Sequence, residues 1–154
     1  MLTTLLLATA LTAQSVDVPK LFAKQVDRAK ERTTVPVLLP ETFPSDFKRH
    51  YPEGRSNAGG YHFDIGAVRN CHEATACFIA DFRGIAGERP GGRRTVRLAR
   101  GRTGYYHPGS CGASCSPPSI EWRERRSLYV IQAKVGGRKP LVRMANSAIR
   151  NGPR

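Results

Sequence analysis

The sequence predicts an α+β domain, an antiparallel sheet of about five strands flanked by an N-terminal and a C-terminal helix. Three observations carry this expectation. Apolar residues recur at three-and-four spacing near both ends of the chain, over residues 18–29 and 141–149. Between those segments, short runs alternate apolar with polar residues. Glycine, proline and asparagine separate the runs, and strands grouped together rather than interleaved with helices favour antiparallel pairing.

Taken in order, residues 1–13 are apolar and uncharged, with no ionised side chain before Asp17. They are too short to span a bilayer and read as a signal peptide, cleaved after Ala13 in preference to Ala10. This leaves residues 14–154 as a single basic domain, long enough for one core. Val18, Leu21, Phe22, Val26 and Ala29 then mark one face of a helix, with Asp17 as N-cap and Pro19 in its first turn. The segment Val35-Pro-Val-Leu-Leu-Pro40 with Phe43-Pro44 is apolar but proline-punctuated, so it should pack as an extended lid or edge.

Strand signals begin at Tyr61, Phe63 and Ile65, which alternate with His62 and Asp64. His62 is accordingly expected to point to solvent or across the strand in a structural role. Residues 76–82 form the next strand, with the Cys71–Cys77 loop as its approach. Residues 95–100 form another, in which Val96, Leu98 and Arg100 share a face opposite to Arg97. Residues 119–123 and 127–133 make a hairpin through Arg125-Arg126, placing Trp122 and Tyr129 on neighbouring strands. A closing helix starts at Pro140, buries Leu141, Met144, Ala145, Ala148 and Ile149, and ends at Asn151-Gly152-Pro153.

The four cysteines, Cys71, Cys77, Cys111 and Cys115, follow a leader and read as two disulfides in an exported, periplasmic or secreted protein. Pairing within each cluster is the simplest of three possible connectivities, and closing loops of that size contributes roughly 2 kcal/mol each in the chain-entropy model. Pairing between clusters would close a larger loop and contribute more. A four-thiolate zinc site, with His72 and His107 as spare ligands, suits the irregular spacing poorly. A redox role for Cys111-Gly-Ala-Ser-Cys115 is equally weak, because three residues intervene and a proline-rich loop follows.

Charge is the second compositional signal. The chain carries 25 Lys and Arg against 12 Asp and Glu, a formal charge of +13. Seven arginines fall between Arg83 and Arg102 against the single acid Glu88. Of these, Arg83, Arg93, Arg94, Arg97, Arg100 and Arg102 are the candidates for contacting a polyanion, with Tyr105 and Tyr106 as stacking platforms.

No catalytic signature is present. His50, His62, His72 and His107 lack metal-ligand spacing, and neither a serine nucleophile elbow nor a phosphate loop occurs. His72 beside Glu73 is the only suggestive pair, and neighbours on an extended chain point apart. The sequence therefore predicts no metal and no cofactor.

Arg102-Thr-Gly-Tyr-Tyr-His, Cys111-Gly-Ala-Ser-Cys-Ser-Pro-Pro-Ser-Ile-Glu-Trp122, Leu128-Tyr-Val-Ile-Gln132 and Leu141-Val-Arg-Met-Ala-Asn-Ser-Ala-Ile149 together resemble a group of uncharacterised exported bacterial proteins. More distantly, the chain is similar to the extracytoplasmic domain of some membrane-anchored anti-sigma regulators. Val37-Leu-Leu-Pro40, a glycine-tyrosine turn, a tryptophan strand, a tyrosine strand and the closing helix carry that similarity, over about residues 35–150. The resemblance implies an α+β fold and export and transfers no catalytic residue. The chain differs from the regulators in carrying no recognisable membrane anchor.

Two functions follow as expectations. The first is a non-enzymatic exported domain that binds or senses a protein, peptide or envelope component. The second is an electrostatic binder of polyanions, either nucleic acid or acidic envelope polymer.

Overall fold

A computed structural model describes residues 14–154, so the expected leader lies outside the described residues. The chain opens with β1 (Gln14–Asp17), which pairs antiparallel with β2 (Thr42–Ser45). Asp17 caps the first helix as expected, its Oδ1 accepting a hydrogen bond from the Lys20 amide at 2.9 Å. The helical stretch comprises α1 (Val18–Leu21) and α2 (Ala23–Arg32), which meet at Phe22. Val18, Phe22, Val26 and Ala29 are buried, whereas Leu21 lies at the margin of that face.

The main sheet has seven strands rather than about five. They are β3 (Tyr51–Asn57), β4 (Gly60–Gly66), β5 (Phe78–Ala86), β6 (Thr95–Arg97), β7 (Thr103–His107), β10 (Ser119–Glu124) and β11 (Ser127–Ala133). Two short strands, β8 (Ser110–Cys111) and β9 (Cys115–Ser116), form a separate hairpin. The spatial order β3-β4-β5-β11-β10-β7-β6 is antiparallel throughout. It joins two meanders, one built from the first three strands and one from the last four. The connection over residues 87–94 must therefore pass from the middle of the sheet to its far edge.

The two additional strands were hidden for different reasons. β3 reads Tyr-Pro-Glu-Gly-Arg-Ser-Asn, with a proline that a central strand rejects but an edge strand accepts. In β7, Gly104 stands opposite Trp122 at a core-facing position, where Leu98 and Val96 crowd the backbone. The apolar alternation is thus interrupted at the point where packing is tightest.

Tyr61, Phe63, Ile65, Phe82, Ile120, Trp122, Tyr129 and Ile131 face α2 and α3 and are buried with the apolar residues of both helices. Trp122 and Tyr129 stack with ring centroids 5.5 Å apart, and Phe22 stacks on Phe63 at 5.3 Å. The Tyr61 ring lies on Gly84, where a Cβ would come within 2.3 Å of it. Helix α3 (Arg138–Asn151) starts two residues before Pro140 and buries Leu141, Met144, Ala145, Ala148 and Ile149. It ends at Gly152, whose φ of 71° only glycine adopts freely.

The proline-punctuated segment crosses this packed face as an extended lid. Val35, Val37, Leu38 and Leu39 are buried, and side chains from the sheet bond the backbone at Pro36 and Leu38. The Tyr61 hydroxyl accepts from Leu38 N at 3.1 Å and donates to Leu38 O at 3.0 Å, while the Tyr129 hydroxyl donates to Pro36 O at 3.0 Å. Burial drives both phenols upward, Tyr129 to about 12. They remain protonated donors throughout the ordinary pH range.

Candidate functional site

The opposite face of the sheet carries the polar half of each strand. Lateral register arranges it in rows. One row runs Glu53, Asp64, Asp81, Gln132 and Ser119 across β3, β4, β5, β11 and β10. The next begins Arg55, His62 and Arg83 and continues through Val130, Glu121, Tyr105 and Thr95. Three carboxylates therefore stand directly opposite one another on adjacent strands, an arrangement that costs energy unless cations compensate it.

The Cys71–Cys77 and Cys111–Cys115 bridges both close within their own clusters, so no thiolate is available for a metal or for redox exchange. The first bridge closes a loop in which Asn70, His72 and Glu73 have positive φ. That curvature folds Glu73 back over the sheet. His72 diverges towards Glu53 Oε2 at 3.5 Å and stays exposed, so the neighbouring pair serves two different partners. The second loop meets the first, with Thr75 Oγ1 donating to Cys115 O at 3.4 Å and Lys134 Nζ donating to Thr75 O. A cleft of about 160 Å³ between the loops is lined by Glu73, Asp81, Cys115 and Gln132.

Beneath Glu73 the contacts are close. Arg55 Nη2 donates to Glu73 Oε1 at 2.6 Å and to His62 Nδ1 at 2.7 Å. A guanidinium can only donate, so Nδ1 is the acceptor and the ring proton sits on Nε2, which faces Asp81 Oδ2 at 3.4 Å. Arg83 holds Asp81 through Nε and Nη2, each at 3.2 Å, and reaches Gln132 Oε1 at 3.3 Å. Burial pushes the Asp64 carboxyl upward, and the nearby Glu53 and Glu73 charges add to that against the pull of His62 and Arg55. For Glu73, burial acts upward but the Arg55 hydrogen bond and the surrounding cationic groups outweigh it, leaving the carboxyl below its usual range. His62 thus lies on the polar face of the sheet, at the centre of a charged constellation that strand alternation alone did not mark.

The six candidate arginines separate. Arg83 is engaged as described above. Arg102 forms a bidentate pair with Glu124, Nε to Oε2 at 2.8 Å and Nη2 to Oε1 at 2.5 Å. That hydrogen-bonded pairing raises Arg102 and holds Glu124 below its usual carboxylate range. β6 ends at Arg97, so Arg100 falls in a 3-10 turn (Ala99–Gly101) rather than on a strand beside Val96 and Leu98. Its Nη2 donates to Arg150 O at 3.0 Å.

Arg93, Arg94 and Arg97 are exposed and, among the described residues, form no ion pair; of the six candidates only Arg97 lines the groove of about 500 Å³ between β6 and α3. Arg97, Arg138, Lys139 and Arg143 line that groove with Thr95, Val96 and Val142. Among the described residues, none of these four cations contacts a carboxylate. α3 adds no acid in its first turn and no side-chain cap, so its amide dipoles reinforce the positive potential. Arg138 and Lys139 precede the helix start expected at Pro140, and nothing local in the sequence pairs Arg143 with β6.

The 87–94 connection crosses the polar face. Gly91 N donates to Glu121 Oε2 at 3.2 Å, and Gly92, at φ 131°, lies where a Cβ would come within 2.9 Å of the His107 ring. Arg89, Tyr105 and Arg123 border a second opening there, while Tyr106 turns towards the core. Only one of the two expected stacking platforms therefore faces this opening. No helix of the described residues is long and apolar enough to cross a membrane.

Compared with known proteins, the chain matches no family model, no curated protein and no solved structure.

Proposed function

We propose that this chain is an exported, non-enzymatic binding domain and that its ligand is an acidic polymer of the envelope or a nucleic acid, received at the groove between β6 and α3. The observation that carries this reading is the cluster of Arg97, Arg138, Lys139 and Arg143 around one groove with no carboxylate partner. By contrast, Arg83 is neutralised by Asp81 and Arg102 by Glu124. Unneutralised cations around a concave surface raise the local concentration of anions and guide them in. Two disulfides suit an oxidising compartment, which supports the export half of the reading.

A peptide that adds a strand to the sheet has less support. The β3 edge carries Pro52, Glu53 and Gly54, and β6 is only three residues long. Both are devices that discourage edge pairing.

The test is binding of fluorescein-labelled single-stranded DNA, polyglutamate and polyphosphate, followed by anisotropy across a salt series. Affinity should fall steeply with salt. The combined Arg97→Ala, Arg138→Ala, Lys139→Ala and Arg143→Ala variant should flatten the log–log slope by about 3, the contribution of four backbone contacts. Binding that is absent, or that persists unchanged in this variant, overturns the reading.

A further inference from the structure

We propose that His62 Nδ1, Asp64 and Glu73 form a seat for a divalent transition-metal ion of the zinc class, in which the Arg55 guanidinium stands where the ion would lie. The inference is independent of the basic groove and goes beyond it.

Charge is the first argument. Glu53, Asp64, Glu73 and Asp81 are four of the chain's 12 acids, and among the described residues the permanent cations paired with them are Arg55 and Arg83, with the imidazoles of His62 and His72 alongside. A protein of charge +13 has here a place where carboxylates outnumber cations. Register sharpens the point, since Glu53 opposes Asp64 and Asp64 opposes Asp81. Like charges directly opposite destabilise a sheet and call for a counter-ion.

Asp64 is the second argument. It is only 5% exposed, and among the described residues its carboxylate forms neither a hydrogen bond nor an ion pair. Its neighbour Asp81, equally buried, is served by Arg83. Buried carboxylates without a partner are costly, and Asp64 points into a cluster whose ligand atoms all lie within 4.8 Å of one another.

The third argument is the orientation of His62. Its Nε2 faces the Arg83-held Asp81 carboxylate, which leaves the Nδ1 lone pair directed at Arg55 Nη2, 2.7 Å away, with Glu73 Oε1 3.6 Å from the same nitrogen. A ligating imidazole whose other nitrogen faces a carboxylate is the usual support of a metal-binding histidine. One neutral imidazole and two carboxylates supply two negative charges for a doubly charged ion. Metal–ligand bonds of about 2.0–2.2 Å require the three atoms to draw together by roughly 1 Å. Glu73, on a partly exposed loop, can supply that movement. The Arg55 side chain is 70% exposed and free to swing into solvent.

The experiment is zinc titration of the full disulfide-bonded chain by calorimetry, with nitrogen NMR of the His62 ring. One zinc per chain should bind, with the metal-induced shift at Nδ1. Asp64→Asn, His62→Gln and Glu73→Gln should each weaken binding at least about tenfold, and Asp81→Asn by about 10–100-fold through loss of ring orientation. Arg55→Met removes no ligand and should tighten binding, whereas Arg28→Met on the helix side should leave it unchanged. Three results overturn the proposal: no stoichiometric uptake, uptake that ignores Asp64→Asn and so belongs to the exposed histidines, or an Arg55→Met chain that binds no more tightly than its parent.

Discussion

At the β3–β5 end of the sheet, carboxylates stand opposite carboxylates and draw two arginines down onto them. At the β6–α3 end, four cations share a groove that no acid enters. The two ends belong to one sheet over one core, and both lie in a chain whose net charge is strongly positive. The difference teaches that composition sets the total charge while strand register distributes it. An arginine in β5 is neutralised because Asp81 lies two residues away on the same face. An arginine in β6 is left free because its neighbours in space come from a helix with a basic outer surface.

The comparison can be broken most severely at what the two ends share. Trp122 is fully buried and stacked on Tyr129, so Trp122→Ala should cost about 3–5 kcal/mol in denaturant unfolding and weaken zinc and polyanion binding together. Retention of either activity in a destabilised chain would show that the ends are less dependent on one core than their topology requires.

Next in size is the Cys71→Ser/Cys77→Ser double variant, which should lose about 2 kcal/mol through the freed loop. It should also release Glu73 from the sheet, impairing zinc binding while sparing the groove. The matching change at Cys111 and Cys115 should cost about as much in stability and leave Glu73 closer to its place.

Asp64→Asn sharpens the contrast in the opposite direction. In zinc-free buffer it relieves cross-strand repulsion and should stabilise by a few tenths to about 1 kcal/mol. Added zinc should then raise the melting temperature of the parent but not of the variant.

The smallest expected effect concerns the Arg102–Glu124 pair, which lies between the two ends. Glu124 titrates below its ordinary value in the folded chain, so its contribution is present above the unfolded carboxyl pKa and is lost as pH falls through the lowered folded value. Arg102→Gln should therefore flatten the acid limb of the stability curve by less than about 1 kcal/mol, since the pair is partly exposed.

Much of the fold was legible in the sequence. The capped first helix, the alternation in β4, the hairpin through Arg125-Arg126 and all five buried positions of α3 follow from local periodicity. β3 and β7 were not legible, because an edge strand tolerates proline and a crowded core position demands glycine. The acidic row and the groove were less visible still. Each draws side chains from elements far apart in sequence, Glu53 with Asp81 in one case and Arg97 with Arg143 in the other.

By itself, the sequence determined which residues of each helix and of most strands turn inward, how much positive charge the molecule carries, and that four sulfurs were available to bridge. Tertiary structure alone decided which cysteines joined, that β11 returns to lie beside β5, and therefore which charged side chains became neighbours. The reason is physical. A residue's facing is set by dihedral periodicity within a few positions, whereas its lateral partners are set by chain topology and strand register, which only the packing of the whole core selects.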